Sequence, residues 1–270
     1  MGKRRNKPKI RVLGHLARSG GTLISRCLGC MRGVILFSEV HPDTMRFISA
    51  VRQAIDWHQL VSEGEAGQWK MKGEALFAQL FVLANYRAQQ KGGVLLLRDW
   101  SHIDYHGLPY QRPTMRPRLV EALSGQFEVL RTMTVRHPID QYLSLMNLEI
   151  MRTGLDGRSV PMPIGTYLEG CLEFAQEAAR VGFVRYEDFT RAPDAHLKLL
   201  CERLEMEFDP TYVERWAGFE HITGDTTGTR GGREEIRALK RRNNDPGLIE
   251  KFRSFESYAR IKAILGYEED

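Results

Sequence analysis

Arg18, Ser19, Gly20, Gly21 and Thr22 follow one another in the stretch LARSGGTL (16–23), directly after the apolar run IRVLGHL (10–16). A cation, two hydroxyls and two glycines in such a place can cradle an anion. The glycines let the backbone curl close, and the guanidinium and hydroxyls donate hydrogen bonds to anionic oxygens. If the amphipathic segment that follows, TLISRCLGCM, is a helix, its first amides and the positive end of its dipole face the same spot. The loop is not a Walker loop, which needs lysine and then a hydroxyl just after its last glycine; here Gly21 is followed by Thr22 and Leu23. Alone, the turn is equally well a plain strand-to-helix connection with an N-cap.

A second constellation stands in TVRHPIDQYLSL (134–145). Arg136 precedes His137 and Pro138, the proline opens a helix, and Ser144 stands eight residues beyond Arg136. That spacing carries the Ser144 hydroxyl about two turns along the helix, within reach of a phosphate gripped by Arg136 at the strand end.

The elements that must position these groups show in the periodicity. Strand-like runs at 10–16, 33–39, 93–99, 127–135 and 181–186 alternate with segments of helical period at 22–31, 43–56, 74–91, 115–124, 138–152, 165–180, 192–205 and 246–265. The alternation predicts an α/β fold of three layers, α/β/α, around a central parallel sheet. Pro and Gly interrupt at 107–117 and 154–165, and the longest aperiodic stretch is GFEHITGDTTGTRGGREE (218–235). At 270 residues with 42% hydrophobic content, one domain over 1–270 is expected, with 1–9 as a flexible basic tail.

The net charge of +5 suits an anionic ligand and requires neither nucleic acid nor membrane. There is no apolar run of about 18 residues to span a bilayer, and MGKRRNKPK is not followed by the apolar core of a secretory signal, so a cytoplasmic location is expected. Cys27 and Cys30 form a C-x-x-C inside a helical pattern with no second ligand pair at zinc spacing, which reads as buried thiols and no metal.

Taken together, A-R-S-G-G-T and R-H-P-I-D-Q-Y-L-S resemble the two nucleotide motifs of the sulfotransferases that use 3′-phosphoadenosine-5′-phosphosulfate (PAPS). The resemblance is nearer the bacterial and tyrosyl-protein type than the small-phenol type. It implies that Arg18, Ser19, Gly20, Gly21, Thr22 and Leu23 form a P-loop-like loop for the 5′-phosphosulfate, and that Arg136 and Ser144 hold the 3′-phosphate. VRYEDFTRAP looks like the family's Y-E-D segment, which would pack Tyr186 near the adenine and leave Glu187 and Asp188 as braces. Arg230 and Arg233 stand where family members carry a glycine-rich basic clamp. Two departures stand out: Gly21 replaces the usual threonine, and Leu23 stands where some members carry an aromatic that stacks on adenine.

The chemistry so implied is metal-independent sulfuryl transfer from PAPS to a hydroxyl or amine, releasing PAP. Arg18 would clamp the leaving phosphate and never act as an acid. Two residues compete for the acceptor's proton: Glu39, 21 residues after Arg18, placed as in the tyrosyl-protein branch, and His102, near the strand-end histidine of cytosolic members. Asp99 would orient one of them or pair with Arg98, and His41 is a third candidate. Trp57, Trp69, Trp100 and Tyr105 are candidates to line an apolar acceptor pocket or to be core. The acceptor is left open among small molecules, glycans and lipids, and homo-oligomerisation is left open too. The alternative readings are a P-loop kinase and a non-catalytic PAP-binding protein of the same fold.

Overall fold

In a computed structural model of the chain, the residues described are 7–107, 110–148, 161–224, 235–238 and 245–268. Five parallel strands, β1 (Lys9–His15), β2 (Val34–Val40), β3 (Val94–Asp99), β4 (Glu128–Val135) and β5 (Phe183–Arg185), form one sheet in the order β2-β3-β1-β4-β5. Between β1 and β2 runs α1 (Gly21–Gly29); α2 (Ala50–Arg52), α3 (Glu63–Gly67) and α4 (Gly73–Gln90) lead to β3; α5 (His102–Tyr105) and α6 (Arg118–Ser124) lead to β4. Beyond β4 come α7 (Pro138–Met146) and α8 (Ile164–Val181), and after β5 α9 (Tyr186–Arg191), α10 (Pro193–Arg203), α11 (Pro246–Arg253) and α12 (Glu256–Leu265).

Successive side chains of a strand point to opposite faces, and the core divides accordingly. Val12, Leu95 and Leu97 pack with residues of α4 and α6, whereas Leu13 and Leu96 pack on the other face with residues of α1 and α10. Both faces of the sheet are therefore covered, which is why the strands read as nearly continuous apolar runs. Beside β4, Met133 and Val135 join α8 and α12 in a further cluster.

Some elements depart from the sequence expectation. The single helix over 43–56 is instead a tight turn at Pro42–Thr44, then α2, capped by the Ser49 hydroxyl on Arg52 N, then one wide turn at Gln53–Trp57. The strand over 181–186 shrinks to Phe183–Arg185, because α8 runs through Val181 and the chain reverses at Gly182, whose φ of 87° suits glycine. Tyr186 accordingly opens α9. The helix over 115–124 starts only at Arg118, since Pro117 biases the residue before it away from helical geometry. The helix over 246–265 is two, parted at an extended Phe255.

All four cysteines are unpaired, and burial pushes the thiol of Cys27 well up and that of Cys30 up to about 11, so both are neutral fillers of the α1 packing. Among the described residues no helix is long and apolar enough to cross a membrane, and no three His, Cys, Asp or Glu side chains are grouped to hold a metal ion.

Candidate functional site

In an open parallel sheet the ligand crevice lies beyond the carboxyl ends of the strands. There the ends of β1, β2, β3 and β4 deliver, in turn, the glycine loop, Glu39, Arg98 and Arg136. The loop runs from Leu16 to Gly20 and is tied by Ser19, whose N–H and Oγ both donate to Leu16 O (3.2 and 2.7 Å). Gly20 sits just before α1 at φ 87°, and among the described residues no side chain caps α1, so the first-turn amides face the crevice as an anion site would require. Leu23 is buried in the core at 3% exposure, so its side chain packs under α1 and only its backbone can serve the loop.

The two motifs meet through their side chains. Arg18 Nε donates to Ser144 Oγ at 2.9 Å, and Arg136 Nη1 donates to Arg18 O at 3.1 Å. Arg136 also lies over the Tyr186 ring, 5.1 Å from its centre. That ring presses on the loop: a Cβ on Gly20 would come within 2.0 Å of Tyr186 Cδ2. Glu187 accepts from His137 N (2.9 Å) and from the Tyr267 hydroxyl (2.8 Å), fixing the β4–α7 turn that carries Arg136. Asp188 pairs with Arg185 at 2.5 Å.

The two proton acceptors proposed from sequence stand in different places. Glu39 is partly open, its side chain 12% exposed; Oε1 accepts from Arg98 Nη2 (3.1 Å) and Oε2 from Thr223 Oγ1 (2.7 Å). The same Arg98 Nη2 donates to Thr22 Oγ1 at 3.0 Å, which joins the glycine loop to Glu39 through one guanidinium. His102 is wholly buried, its Nδ1 3.3 Å from His106 Nδ1, in a helix packed on α8. His41 is buried as well, with Nδ1 accepting from Asp43 N and Nε2 against Asp104 Oδ1 at 3.1 Å, which makes it a brace for the 101–118 segment, to which Thr114 Oγ1 and Arg118 N also bond through Asp104.

Asp99 does not pair with Arg98. Neighbours on a strand point to opposite faces, so Arg98 turns toward α1 while Asp99 accepts from Ser101 Oγ (2.7 Å) on the other side. Burial, with Asp104 nearby, pushes the Asp99 carboxyl up to about 6. Nor do the four aromatics converge on a pocket. Trp57 stacks on His221, Tyr105 packs edge-on to Phe174 in the core, Trp69 lies against the α4 cluster, and Trp100 meets Tyr110, which meets the exposed Phe47. Arg230 and Arg233 lie outside the described residues.

Arg98 and Thr223 stand beside Glu39 at the candidate site and are not among the site residues expected from the sequence. The signal for Arg98 was present: a cation ending the apolar run VLLLR must find partners at a strand end. Thr223 carried no such mark. Arg18 (φ 68°) and Glu39 (φ 52°) both hold left-handed backbone conformations, each strained by roughly 1–3 kcal/mol, and such strain clusters at functional sites.

His15 completes the arrangement. Its Nε2 accepts from Arg98 Nε (2.7 Å), its Nδ1 faces Leu16 O (3.1 Å), and burial with the adjacent guanidinium holds it well below its usual value, hence neutral. Burial likewise lowers His106 to about 3 and His58 to about 4. Between those values and the ordinary 6.5, the unfolded chain takes up protons that the folded chain refuses, so stability falls as pH falls below 6.5, by about 1.4 kcal/mol per unit for each such histidine. Asp99 acts with the opposite sign between 3.8 and about 6, offsetting one of them. His106→Gln should therefore flatten the acid side of a Tm-against-pH curve by roughly one proton's worth of slope; an unchanged slope would show that His106 is charged in the fold.

No family model and no curated protein matches the chain. Solved structures do. The sulfotransferase domain from the curacin biosynthetic pathway is 19% identical, with 98% of this chain and all of that one covered at a TM-score of 0.61. The sulfotransferase domain of the Synechococcus PCC 7002 olefin synthase is 18% identical over 99% and 98% of the two chains, at 0.62. A sulfotransferase from Alicyclobacillus acidocaldarius is 15% identical over 99% and 98%, at 0.51. At such identities the likeness is one of architecture, and the architecture of this chain is the sulfotransferase fold.

Proposed function

We propose that the protein is a PAPS-dependent sulfotransferase that moves a sulfuryl group to the hydroxyl or amine of a small-molecule, glycan or lipid acceptor and releases PAP. The observation that carries this reading is the meeting of the two sequence motifs at one crevice: Arg18 on Ser144 and Arg136 on the Arg18 carbonyl, beside the N-terminus of α1. A nucleotide bearing phosphates at both the 5′ and 3′ positions matches two cation groups served by one loop. In this role Arg18 and the α1 amides stabilise charge on the leaving 5′-phosphate, Arg136 and Ser144 hold the 3′-phosphate, and Tyr186, beside Arg136, packs near the adenine.

Glu39 is the base in this reading. As the acceptor oxygen bonds to sulfur and the bond from sulfur to the 5′-phosphate oxygen breaks, the electron pair goes to the phosphate and the acceptor's proton to the Glu39 carboxylate. Glu39 reaches solvent and shares Arg98 with the loop residue Thr22, whereas His102 is sealed against His106, which is why Glu39 is preferred.

Calorimetric titration with PAP and ADP, without metal, tests the nucleotide. PAP should bind about 10- to 100-fold more tightly, as one or two charge-assisted bonds to the 3′-phosphate require, and Arg136→Ala should abolish most of that preference. Equal binding of PAP and ADP would overturn the reading, and turnover that demands ATP and Mg²⁺ would replace it with a kinase.

A further inference from the structure

Strand β2 carries one residue too many at its end. Phe37 pairs with Leu97 and Val40 with Asp99, so Ser38 and Glu39 share a bulge. The bulge sets Glu39 in its left-handed conformation and aims its carboxylate at Arg98. Ser38, at the bulge, is wholly buried, so its backbone N–H and C=O need partners. Since β2 is the edge of the sheet, no strand among the described residues lies beyond it to supply them.

Gln53 does. Its Oε1 accepts from Ser38 N at 2.7 Å and its Nε2 donates to Ser38 O at 2.8 Å, so the carboxamide stands in for a neighbouring strand at one residue. Gln53 is itself 3% exposed and begins the wide turn after α2, where His58 N bonds back to Gln53 O. One-turn widenings of this kind recur at functional sites.

We infer that Gln53 is a positioning residue for Glu39: by clamping the Ser38 backbone N–H and C=O it holds the bulge that presents the carboxylate to the acceptor. The inference rests on the reading of Glu39 as the base. It requires that the effect of Gln53 on turnover pass through Glu39 and that nucleotide binding, which lies on the β1 and β4 side, stay untouched.

The test uses the full chain with Gln53→Met, which keeps the length and loses both bonds, and Gln53→Glu, which keeps only the acceptor for Ser38 N–H. Turnover of radiolabelled PAPS, PAP affinity by calorimetry and amide exchange at Ser38 are read for each. Gln53→Met should lower kcat by about 10²-fold, the scale of an ångström misplacement of a catalytic group, while KM for PAPS and the PAP Kd stay within about twofold. Gln53→Glu should fall between it and the wild type, and Ser38 exchange should accelerate in both. In a Glu39→Gln background Gln53→Met should add little further loss, since a residue acting through another has nothing left to act on. Equal losses in both backgrounds, a parallel fall in PAP affinity, or unchanged Ser38 exchange would overturn the inference. If Glu39→Gln alone leaves turnover intact, or the wild type binds PAP and consumes no PAPS, it is the base assignment that fails, and the positioning role falls with it.

Discussion

Glu39→Gln should lower kcat about 10²- to 10⁴-fold, the range of a positioned general base, with PAP affinity nearly unchanged. The rival explanation of any loss is electrostatic. Arg98 is 2% exposed and Glu39 is its anionic partner, so removing the carboxylate leaves a buried guanidinium whose remaining partners among the described residues are neutral: His15, Ser38, Thr22 and the Thr223 carbonyl. Breaking a buried pair from one side costs about 3–5 kcal/mol when burial is complete, and less here because Glu39 is partly open. A counter-ion role predicts a lower Tm with kcat per folded molecule preserved; a base predicts a collapse of kcat at temperatures where the variant is fully folded. Single-turnover consumption of PAPS well below Tm separates the two. His102→Gln is the matched control. Because His102 is sealed from solvent, its loss should show in Tm and leave kcat within a few-fold of the wild type; a kcat loss as large as that of Glu39→Gln would transfer the base assignment to His102.

What the sequence disclosed and what it hid divide along the range of the interactions. The five strands and the glycine loop were legible because apolar period and local turn chemistry report on a few consecutive residues. Arg136 and Ser144 were legible as a pair because a helix opened by Pro138 fixes their relation within two turns. Their approach to Arg18 depends on β4 lying beside β1, a pairing across more than a hundred residues that the sequence pattern alone leaves unspecified. The bulge at Glu39 was invisible for the same reason: it exists only in the register between β2 and β3, and neither Ser38 nor Gln53 has a composition that announces it. Tyr186 reads as strand from the apolar character of VGFVRY, yet Gly182 delays the strand and Tyr186 opens α9. His102 looks like a strand-end base in sequence, but the chain turns at Trp100–Ser101 into α5 and carries the imidazole under α8.

The departure at Gly21 has a steric cause, and its sign can be measured. A Cβ at this position would lie 2.5 Å from His15 Cγ, 2.7 Å from Nδ1 and 2.8 Å from Cδ2. The ring cannot step aside, because Arg98 holds one of its nitrogens and the Leu16 carbonyl faces the other in a buried setting. The threonine that the family resemblance leads one to expect is therefore replaced by the His15 ring, which fills its space and braces the guanidinium that Thr22 and Glu39 share. Helix propensity and packing now predict opposite signs for Gly21→Ala. At the first position of α1, propensity alone would stabilise by up to about 0.5–1 kcal/mol, whereas overpacking against a fixed ring destabilises by about 1–3 kcal/mol. Packing should win, and Gly21→Thr, with its branched Cβ, should lose more. The cycle with His15→Ala isolates the contact. That substitution alone costs about 1–3 kcal/mol by leaving Arg98 Nε unpartnered, but in its background Gly21→Ala should become neutral or stabilising, a coupling of about 1–3 kcal/mol read from denaturant midpoints. If Gly21→Ala stabilises the parent chain, the ring does not occupy that space, and the missing threonine has lost its explanation.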